Sequence, residues 1–226
     1  MRSRGFGPGC LLWLVLVIGC AYQDATVRAP ALATVTAGSI ISGSPAVVLV
    51  TPFADARPDR SRCGVKKVFS KESARIECGA APGQWLADLL AQELRAAGFR
   101  VYDKQPPPGQ PAVRIEGVLT QLFVEPDVAG EYYVFYARSH YLPEADIAVS
   151  LVARGEHFEA ERRFYFKGAG DYLAGGLESN YQRALDNSVK EGLRLMSTAI
   201  GELVNLAPGF EAYACTAAPP AVTVQR

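Results

Sequence analysis

The sequence predicts a two-layer α+β domain, in which two helices cover one face of a single mixed, mostly antiparallel sheet of about five strands. Three observations predict this class. One apolar run has the length of a strand, two segments carry apolar residues at helical spacing, and several segments alternate between apolar and polar residues. The predicted order along the chain is β-α-β-β-β-β-α.

The first strand and helix predict a parallel crossover. Residues 46–51 read AVVLVT, an apolar run typical of a strand covered on both faces. A helix is predicted from about Pro82 to Ala97, with Gly98 as its left-handed C-terminal glycine and Phe99 as the apolar contact of a Schellman motif. Because a second strand begins at Phe99, the two strands are expected to lie parallel.

Alternating segments predict an antiparallel meander in the second half of the chain. Residues 112–125, 146–154 and 158–167 each place apolar side chains on one face and polar side chains on the other. The last helix is predicted from about Asn180 to Leu206, with Ser179 and Gln182 as a capping box. Its apolar residues form a narrow stripe, which is typical of a helix packed on a sheet.

The N-terminus carries the pattern of a lipoprotein signal. Arg2 and Arg4 precede a short apolar run, and Val17-Ile18-Gly19-Cys20 resembles the lipobox, in which the cysteine receives a diacylglycerol and becomes the mature N-terminus. The run is much shorter than the ~20 residues of a membrane span. We therefore predict lipid attachment at Cys20, with an ordinary secretory signal as the alternative.

The lipobox also predicts the location and the domain organisation. Residue 21 is Ala, whereas Asp at this place retains enterobacterial lipoproteins in the inner membrane. The resemblance thus implies the periplasmic leaflet of the outer membrane, with the inner membrane as the alternative. The predicted segments are a signal peptide (1–19), a lipidated N-terminus and flexible tether (20–45), a single α+β domain (46–206) and a disordered tail (207–226).

The charge balance limits the kinds of molecule that the chain can bind, and the cysteines predict its disulfide pairing. The chain has 23 basic and 23 acidic residues and no basic patch, which argues against a nucleic-acid partner. In the oxidising periplasm, Cys63 and Cys78 are expected to form a disulfide that closes a loop of about 15 residues, which fits an exposed hairpin. Cys215 can pair with either of them, bridge two chains or stay free.

No pattern predicts catalysis, a metal or a cofactor. The chain lacks Gly-x-Ser-x-Gly, His140 and His157 lack ligand spacing, and the glycines at 168–176 lack the residues of a phosphate loop. Asp146 is interpreted as a strand-end residue that bonds a turn or a helix N-terminus, with a buried site carboxylate as the alternative. A mixed-charge cluster is interpreted as a solvated loop, with an arginine clamp for a carboxylate or phosphate as the alternative: Asp55, Arg57, Asp59, Arg60 and Arg62.

The aromatic segment 131–136, EYYVFY, is the predicted partner surface. As a strand it is apolar on both faces, although two helices can cover only one face of the sheet. Uncovered aromatic side chains suit a protein, a glycan or a lipid. Burial by residues 138–143 or by the tail is the alternative. The predicted surface residues are Tyr132, Tyr133, Phe135 and Tyr136.

Residues 85–205 resemble the YajG-type bacterial lipoprotein family. This resemblance implies an outer-membrane lipoprotein without established enzymatic activity; the cysteine loop and the tail depart from the family pattern. Four stretches carry the resemblance: Leu90-x-x-x-Leu94-x-x-x-Gly98-Phe99, Val113-x-Ile115 through Gln121-Leu122, Ala145-Asp146-Ile147-Ala148, and Asn180-Tyr181-x-x-Ala184-Leu185-x-x-Ser188.

These observations predict a non-enzymatic lipoprotein that faces the periplasm and binds another cell-envelope protein as an accessory or assembly factor. The alternative is a binding module for a lipid or a peptidoglycan fragment. That alternative needs a pocket of a few hundred Å³ between the sheet and its helices.

Overall fold

The computed structural model describes residues 23–31, 47–68, 71–107, 112–130, 139–155, 159–171 and 178–206. Within these ranges nine strands form one mixed sheet, and two helices pack together on one of its faces. The strands are β1 (Ala25–Val27), β2 (Val47–Val50), β3 (Ala54–Asp55), β4 (Arg62–Val68), β5 (Lys71–Cys78), β6 (Arg100–Tyr102), β7 (Val113–Gly130), β8 (Ser139–Arg154) and β9 (Glu159–Ala169). The helices are α1 (Pro82–Ala96) and α2 (Glu178–Leu206).

The longest strand, β7, organises the sheet. Along one edge it pairs antiparallel with β8, which in turn pairs antiparallel with β9. Along its other edge it pairs in parallel with β2, β3 and β4, one after another. Strand β6 adds to β2, whereas β5 and then β1 add to β4. The sheet therefore divides into two wings on this side of β7.

The α+β class is confirmed, but the predicted number of about five strands is wrong. The charged segment after Pro52, predicted as a loop, contains β3, whereas the loop closed by Cys63 and Cys78 forms the β4–β5 hairpin, as predicted. Strand β1 lies inside the segment 20–45 that was predicted as a tether. These strands are short or polar, so their pairing with neighbours, and not an apolar pattern of their own, places them in the sheet.

Helix α1 has the predicted ends. Pro82 occupies its first turn, and Gly98 has a φ of 95°. The N–H of Phe99 donates to the carbonyl of Leu94 at 3.0 Å, and the N–H of Gly98 donates to Arg95 at 3.1 Å, which together make a Schellman motif. Phe99 is buried, and β6 then pairs parallel with β2, as predicted.

Helix α2 lies antiparallel against β9, because Gly168 meets Ser188 near the start of the helix and Arg162 pairs with Glu202 near its end. A Cβ on Gly168 would lie 2.1 Å from the backbone nitrogen of Ser188. The predicted capping box does not form, since the helix begins at Glu178 and the side chain of Gln182 bonds elsewhere. Neither described helix is both long and apolar enough to span a membrane.

The core fills the layer between the helices and the sheet. The fully buried side chains of α1 meet those of α2 and of β7 and β8 in one continuous cluster. Its largest members include Leu86, Leu90 and Leu94 of α1, Ile115, Leu119 and Leu122 of β7, Ile147 of β8, and Leu185, Met196 and Ile200 of α2.

Candidate functional site

The face of strands β7–β9 that points away from the helices is not covered by any described element. On β8, the buried residues Ala145, Ile147, Val149, Leu151 and Ala153 point to the helices, and the alternate side chains form the other face. We call this surface the open face. It comprises Arg114, Glu116, Val118, Thr120 and Phe123 of β7, Glu144, Asp146, Ala148, Ser150, Val152 and Arg154 of β8, and Glu159, Glu161, Arg163, Tyr165 and Lys167 of β9.

A β-bulge at Thr120 shapes the open face. Leu119 pairs with Val149 and Gln121 pairs with Ala148, so Thr120 is an extra residue in β7. Its hydroxyl donates to the carbonyl of Ala148 at 3.2 Å. The bulge reverses the alternation of β7, because Leu119 is buried before it and Leu122 and Val124 are buried after it. This reversal puts Phe123 on the open face.

Asp146 lies in the middle of this surface, directly between Phe123 on β7 and Lys167 on β9. Its Oδ1 atom is buried and has no hydrogen-bond partner among the described residues. The interpretation of Asp146 as a strand-end residue is wrong, because β8 begins seven positions earlier, at Ser139. A partly buried site carboxylate, the alternative, agrees with its position.

Tyr165 is the aromatic residue that projects from the open face beside Asp146. Its side chain is 60% exposed, the only large apolar side chain so exposed in the described ranges. Partial burial raises the pKa of the Tyr165 hydroxyl, and hydrogen bonding to the Asp146 carboxylate raises it further. The hydroxyl therefore stays protonated at neutral pH.

Most charges on the open face are paired with one another. Arg154 bonds both Glu116 and Glu159, and Lys167 bonds Glu144, which raises the pKa of the Lys167 ammonium. The hydroxyl of Ser150 donates to Glu161 at 2.8 Å; this bond and one from Arg163 lower the pKa of the Glu161 carboxyl. The open face therefore has no large excess charge of either sign.

Two shallow depressions meet at the bulge. One, of about 370 Å³, lies between β7 and the loop after β3; the other, of about 580 Å³, lies over β7, β8 and β9. Neither is the pocket between sheet and helices that the ligand-binding alternative predicted. The first is lined by Arg57, Pro58, Asp59, Arg62 and Thr120–Phe123; the second is lined in part by Val118, Thr120, Ala148, Ser150 and Tyr165.

The mixed-charge cluster is ordered around Arg57, which is only 5% exposed. Its guanidinium bonds both carboxylate oxygens of Asp55, at 2.9 and 2.8 Å, and the carbonyls of Arg60 and Arg62. Burial alone would raise the pKa of Asp55, but the hydrogen bonds and charge of Arg57 outweigh it, so the pKa is lowered. Both interpretations of this cluster are wrong for Arg57, which is neither solvated nor free to clamp a ligand.

The predicted disulfide is confirmed. Cys63 and Cys78 are bonded across the β4–β5 hairpin, and Nη1 of Arg57 lies 3.5 Å from the sulfur of Cys78. Arg62 extends over the ring of Phe123, 5.8 Å from its centroid, and pairs with Glu72. The cluster thus stabilises the β4–β5 hairpin beside the smaller depression.

No group of three metal-ligating side chains occurs in the described ranges.

The predicted partner residues Tyr132, Tyr133, Phe135 and Tyr136 lie outside the described residues, as do Cys20 and Cys215. Their segment joins Gly130 of β7 to Ser139 of β8.

Sequence reasoning placed Tyr165 on the polar face of its strand without singling it out as a candidate, and it missed Phe123 as a surface residue. The position of Tyr165 was readable from the sequence, because Tyr165 lies between two phenylalanines that face the helices. No pattern in the sequence places Phe123 on the open face, because the side of the sheet on which it lies depends on the bulge at Thr120.

Comparison with known proteins supports the fold alone. No family model matches the sequence, and no curated protein matches it significantly. The crystal structure of protein XCC0632 from Xanthomonas campestris, of family DUF330, is similar with a TM-score of 0.54 at 11% identity, over 78% of this chain and 93% of that chain. A neuraminyllactose-binding hemagglutinin homolog from Helicobacter pylori reaches a TM-score of 0.42 at 9% identity, over 82% and 95% of the two chains. The fold of this chain is thus similar to that of a DUF330 protein, and membership of the YajG-type family stays a prediction.

Proposed function

We propose that this protein is a non-enzymatic lipoprotein, anchored through Cys20 in the periplasmic leaflet of the outer membrane, which binds another cell-envelope protein through the open face of its sheet. The observation that carries the proposal is the uncovered pair of Tyr165 and Asp146. The tyrosine is largely exposed, and one carboxylate oxygen of the aspartate is buried without a partner.

The surroundings of this pair favour a protein over a small molecule. Both depressions are shallow, whereas small-molecule sites bury most of their ligand in a concave pocket. The open face is broad and its charges are already paired, so it does not select a simple ion. Tyrosine and arginine side chains on such a surface are typical of the central part of protein–protein interfaces.

The chemistry of the pair also defines what the partner must offer. A buried carboxylate oxygen without a hydrogen bond is costly, and a donor from the partner would remove that cost. The partner should therefore place a backbone N–H or a side-chain donor over Asp146 and an apolar group against the ring of Tyr165. Substitution of Asp146, or of Tyr165 by a residue without an aromatic ring, is expected to weaken binding without loss of the fold.

The test is photocrosslinking in cells with a photoreactive phenylalanine analogue at position 165. Position 102 is the matched control, because Tyr102 is a partly exposed tyrosine on β6, on the opposite side of β7 from β9. We expect a discrete protein adduct from position 165, and its loss when Asp146→Asn is added. Equal adducts from both positions, or adducts that Asp146→Asn leaves unchanged, would overturn the proposal.

A second candidate is a binding module for a peptidoglycan fragment. The smaller depression favours it, because Phe123 and Arg62 offer a stacking ring and a cation beside the polar side chains of Thr120 and Gln121. A glycan adduct in place of a protein adduct, removed by Phe123→Ala, would support this candidate instead.

Lipid attachment has its own test. Cells fed radioactive palmitate should label the natural protein and not the Cys20→Ser variant. Equal labelling of both would show that the lipid is elsewhere.

A further inference from the structure

Strand β9 is a long, regular edge of the sheet. In the part of the chain that the structure describes, it pairs with β8 alone, over its full length of eleven residues and without a bulge. The strands at the other ends of the sheet, β1 and β6, have only three residues each. Edge strands are usually short, bulged or interrupted by proline, because their unpaired backbone groups otherwise bind another strand. Strand β9 has none of these three protections.

The backbone of β9 points the polar groups of alternate residues at the free edge. On β8, the carbonyl of Ala148 accepts a hydrogen bond from the hydroxyl of Thr120, so it points to β7 and away from β9. In an antiparallel ladder, two opposite residues either both point their N–H and carbonyl at each other or both point them away. Tyr165 lies opposite Ala148 and therefore points its own groups outward. The alternate residues that share this direction are Glu161, Arg163 and Lys167.

The side chains of these residues make β9 complementary to a second, antiparallel β9. With two-fold symmetry about Phe164, Glu161 lies opposite Lys167 of the second copy, and Arg163 lies opposite its Tyr165. The first pair joins opposite charges, and the second puts a guanidinium beside an aromatic ring. In both pairs the backbone groups point at the edge, so each pair can exchange two hydrogen bonds. Symmetry about position 163 would instead oppose two arginines, and symmetry about position 165 would oppose Arg163 and Lys167.

The charged side chains of this pattern are accessible to a second copy. The exposed fraction is 84% for Arg163, 50% for Glu161 and 48% for Lys167. Within the chain Glu161 pairs with Arg163, and Lys167 pairs with Glu144. Exposed ion pairs of this kind contribute little to stability. A charge from a second copy can therefore join or replace them without a large loss of free energy.

Phe164 adds an apolar contact on the helix side of the same edge. Its side chain is half-buried at the margin of the core. At the symmetry centre two copies of Phe164 would be directly opposite each other in a non-hydrogen-bonded pair, where side chains approach most closely. Helix α2 contacts β8 and β1 as well as β9, so its axis lies inward of this edge. Pairing would thus cover apolar surface on one face and join charges on the other.

We infer that β9 is the contact through which two copies of this chain form a two-fold symmetric dimer, in register about Phe164, with their sheets joined into one. The open faces of the two copies then become one continuous surface with two Tyr165 side chains near its centre. This inference rests neither on the lipid at Cys20 nor on the proposed envelope partner.

Sedimentation over a wide range of protein concentration tests the dimer. The chain from residue 20 onward carries Cys20→Ser and Cys215→Ser, so neither a lipid nor a disulfide between copies can join two chains. We expect an equilibrium between monomer and dimer. Glu161→Lys or Lys167→Glu alone should weaken dimerisation by about tenfold, because two like-charge pairs replace two opposite-charge pairs.

Charge reversal on both sides provides the decisive control. The double variant Glu161→Lys with Lys167→Glu restores opposite charges across the axis, and so does a mixture of the two single variants. Both should dimerise like the unsubstituted chain. Lys104→Glu, the same charge change at an exposed residue outside β9, should have no effect. A monomer at every concentration, equal weakening by Lys104→Glu, or no recovery in the double variant would each overturn the inference.

Disulfide crosslinking tests the register. Opposite residues of a non-hydrogen-bonded pair have Cα atoms about 4.5 Å apart, within the range that a disulfide spans. Oxidation should therefore link Phe164→Cys into dimers but leave Ala160→Cys, four residues along the same strand, monomeric. Equal linking of the two variants, or none in Phe164→Cys, would overturn the register. In the cellular experiment at position 165, an adduct between two copies has twice the mass of the chain, so it is distinguishable from an adduct with an envelope partner.

Discussion

Arg57 and Asp55 form a two-pronged ion pair, with Nε of the arginine 2.9 Å from one carboxylate oxygen and Nη2 2.8 Å from the other. Both side chains are largely buried. The pair connects the end of β3 to the disulfide hairpin, because the same guanidinium also bonds backbone carbonyls and faces the sulfur of Cys78.

Asp55→Asn is therefore expected to lower the free energy of unfolding by about 3 kcal/mol at neutral pH, because it leaves a buried arginine charge without its counter-ion. The folded pKa of Asp55 lies below the ordinary value of 3.8. Its stabilisation is thus complete above pH 3.8 and is lost as the pH falls through the lower, folded pKa. Urea unfolding from neutral to strongly acidic pH measures both effects.

The control for this prediction is Asp103→Asn, at an exposed loop residue. It should change stability little at any pH. A difference between wild type and Asp55→Asn that stays constant down to about pH 2 would show that the carboxylate charge is not what stabilises the pair.

Reduction of the Cys63–Cys78 disulfide is expected to lower the free energy of unfolding by about 3 kcal/mol, because the bond restricts a 15-residue loop in the unfolded chain. Urea unfolding with and without a thiol reductant measures the change. Cys63→Ser with Cys78→Ser should match the reduced protein. Cys215→Ser should behave like wild type; an equal loss in that variant would contradict the role of this pair.

Gly168→Ala should lower the free energy of unfolding by about 3 kcal/mol. The added Cβ would lie 2.1 Å from a backbone atom of Ser188 and 2.5 Å from one of Ala184, both in α2. Gly192→Ala meets the ring of Phe166, which can rotate, so its cost should be smaller. Ala169→Val adds volume at the next, exposed position and is the control. Guanidinium unfolding ranks the three variants, and a near-neutral Gly168→Ala would show that α2 can shift on the sheet.

Gly98→Ala is expected to lower the free energy of unfolding by about 1 kcal/mol, because alanine is strained at the left-handed φ of 95° that ends α1. Gly98→Asn should cost less, since asparagine tolerates this conformation. Thermal unfolding of both variants checks the order. If alanine and asparagine were equivalent, the Schellman ending would not be what stabilises this turn.

Sequence reasoning succeeded where the signal is local. The ends of α1 depend on Pro82 and Gly98, whose backbone preferences act within one turn. Strand β2 has an unbroken apolar run, and the disulfide was predictable from two cysteines close in sequence. The open face follows partly from the alternation in β8 and β9, but Phe123 was assigned to it only by the bulge at Thr120.

The prediction of a flexible tether is wrong for residues 23–31, because the contacts that stabilise this stretch are distant in sequence. Strand β1 has only three residues, so its own propensity is too weak to indicate a strand. It is held by residues of β5 and by Gln182, whose bond to Arg28 spans 154 positions. Asp146 was misplaced for a related reason, since the pairing with β7 extends β8 far beyond the apolar segment that predicted it.

The sequence by itself determined the α+β class, both helices and the disulfide partners, because each depends on residue type and spacing within a few turns or a short loop. Lipid attachment at Cys20 stays a prediction. The tertiary structure alone decided that β1 joins the sheet, that Asp146 and Tyr165 meet on an uncovered face, and that Arg57 is buried. These features depend on strand register and on packing between distant segments, which have no local pattern in the chain.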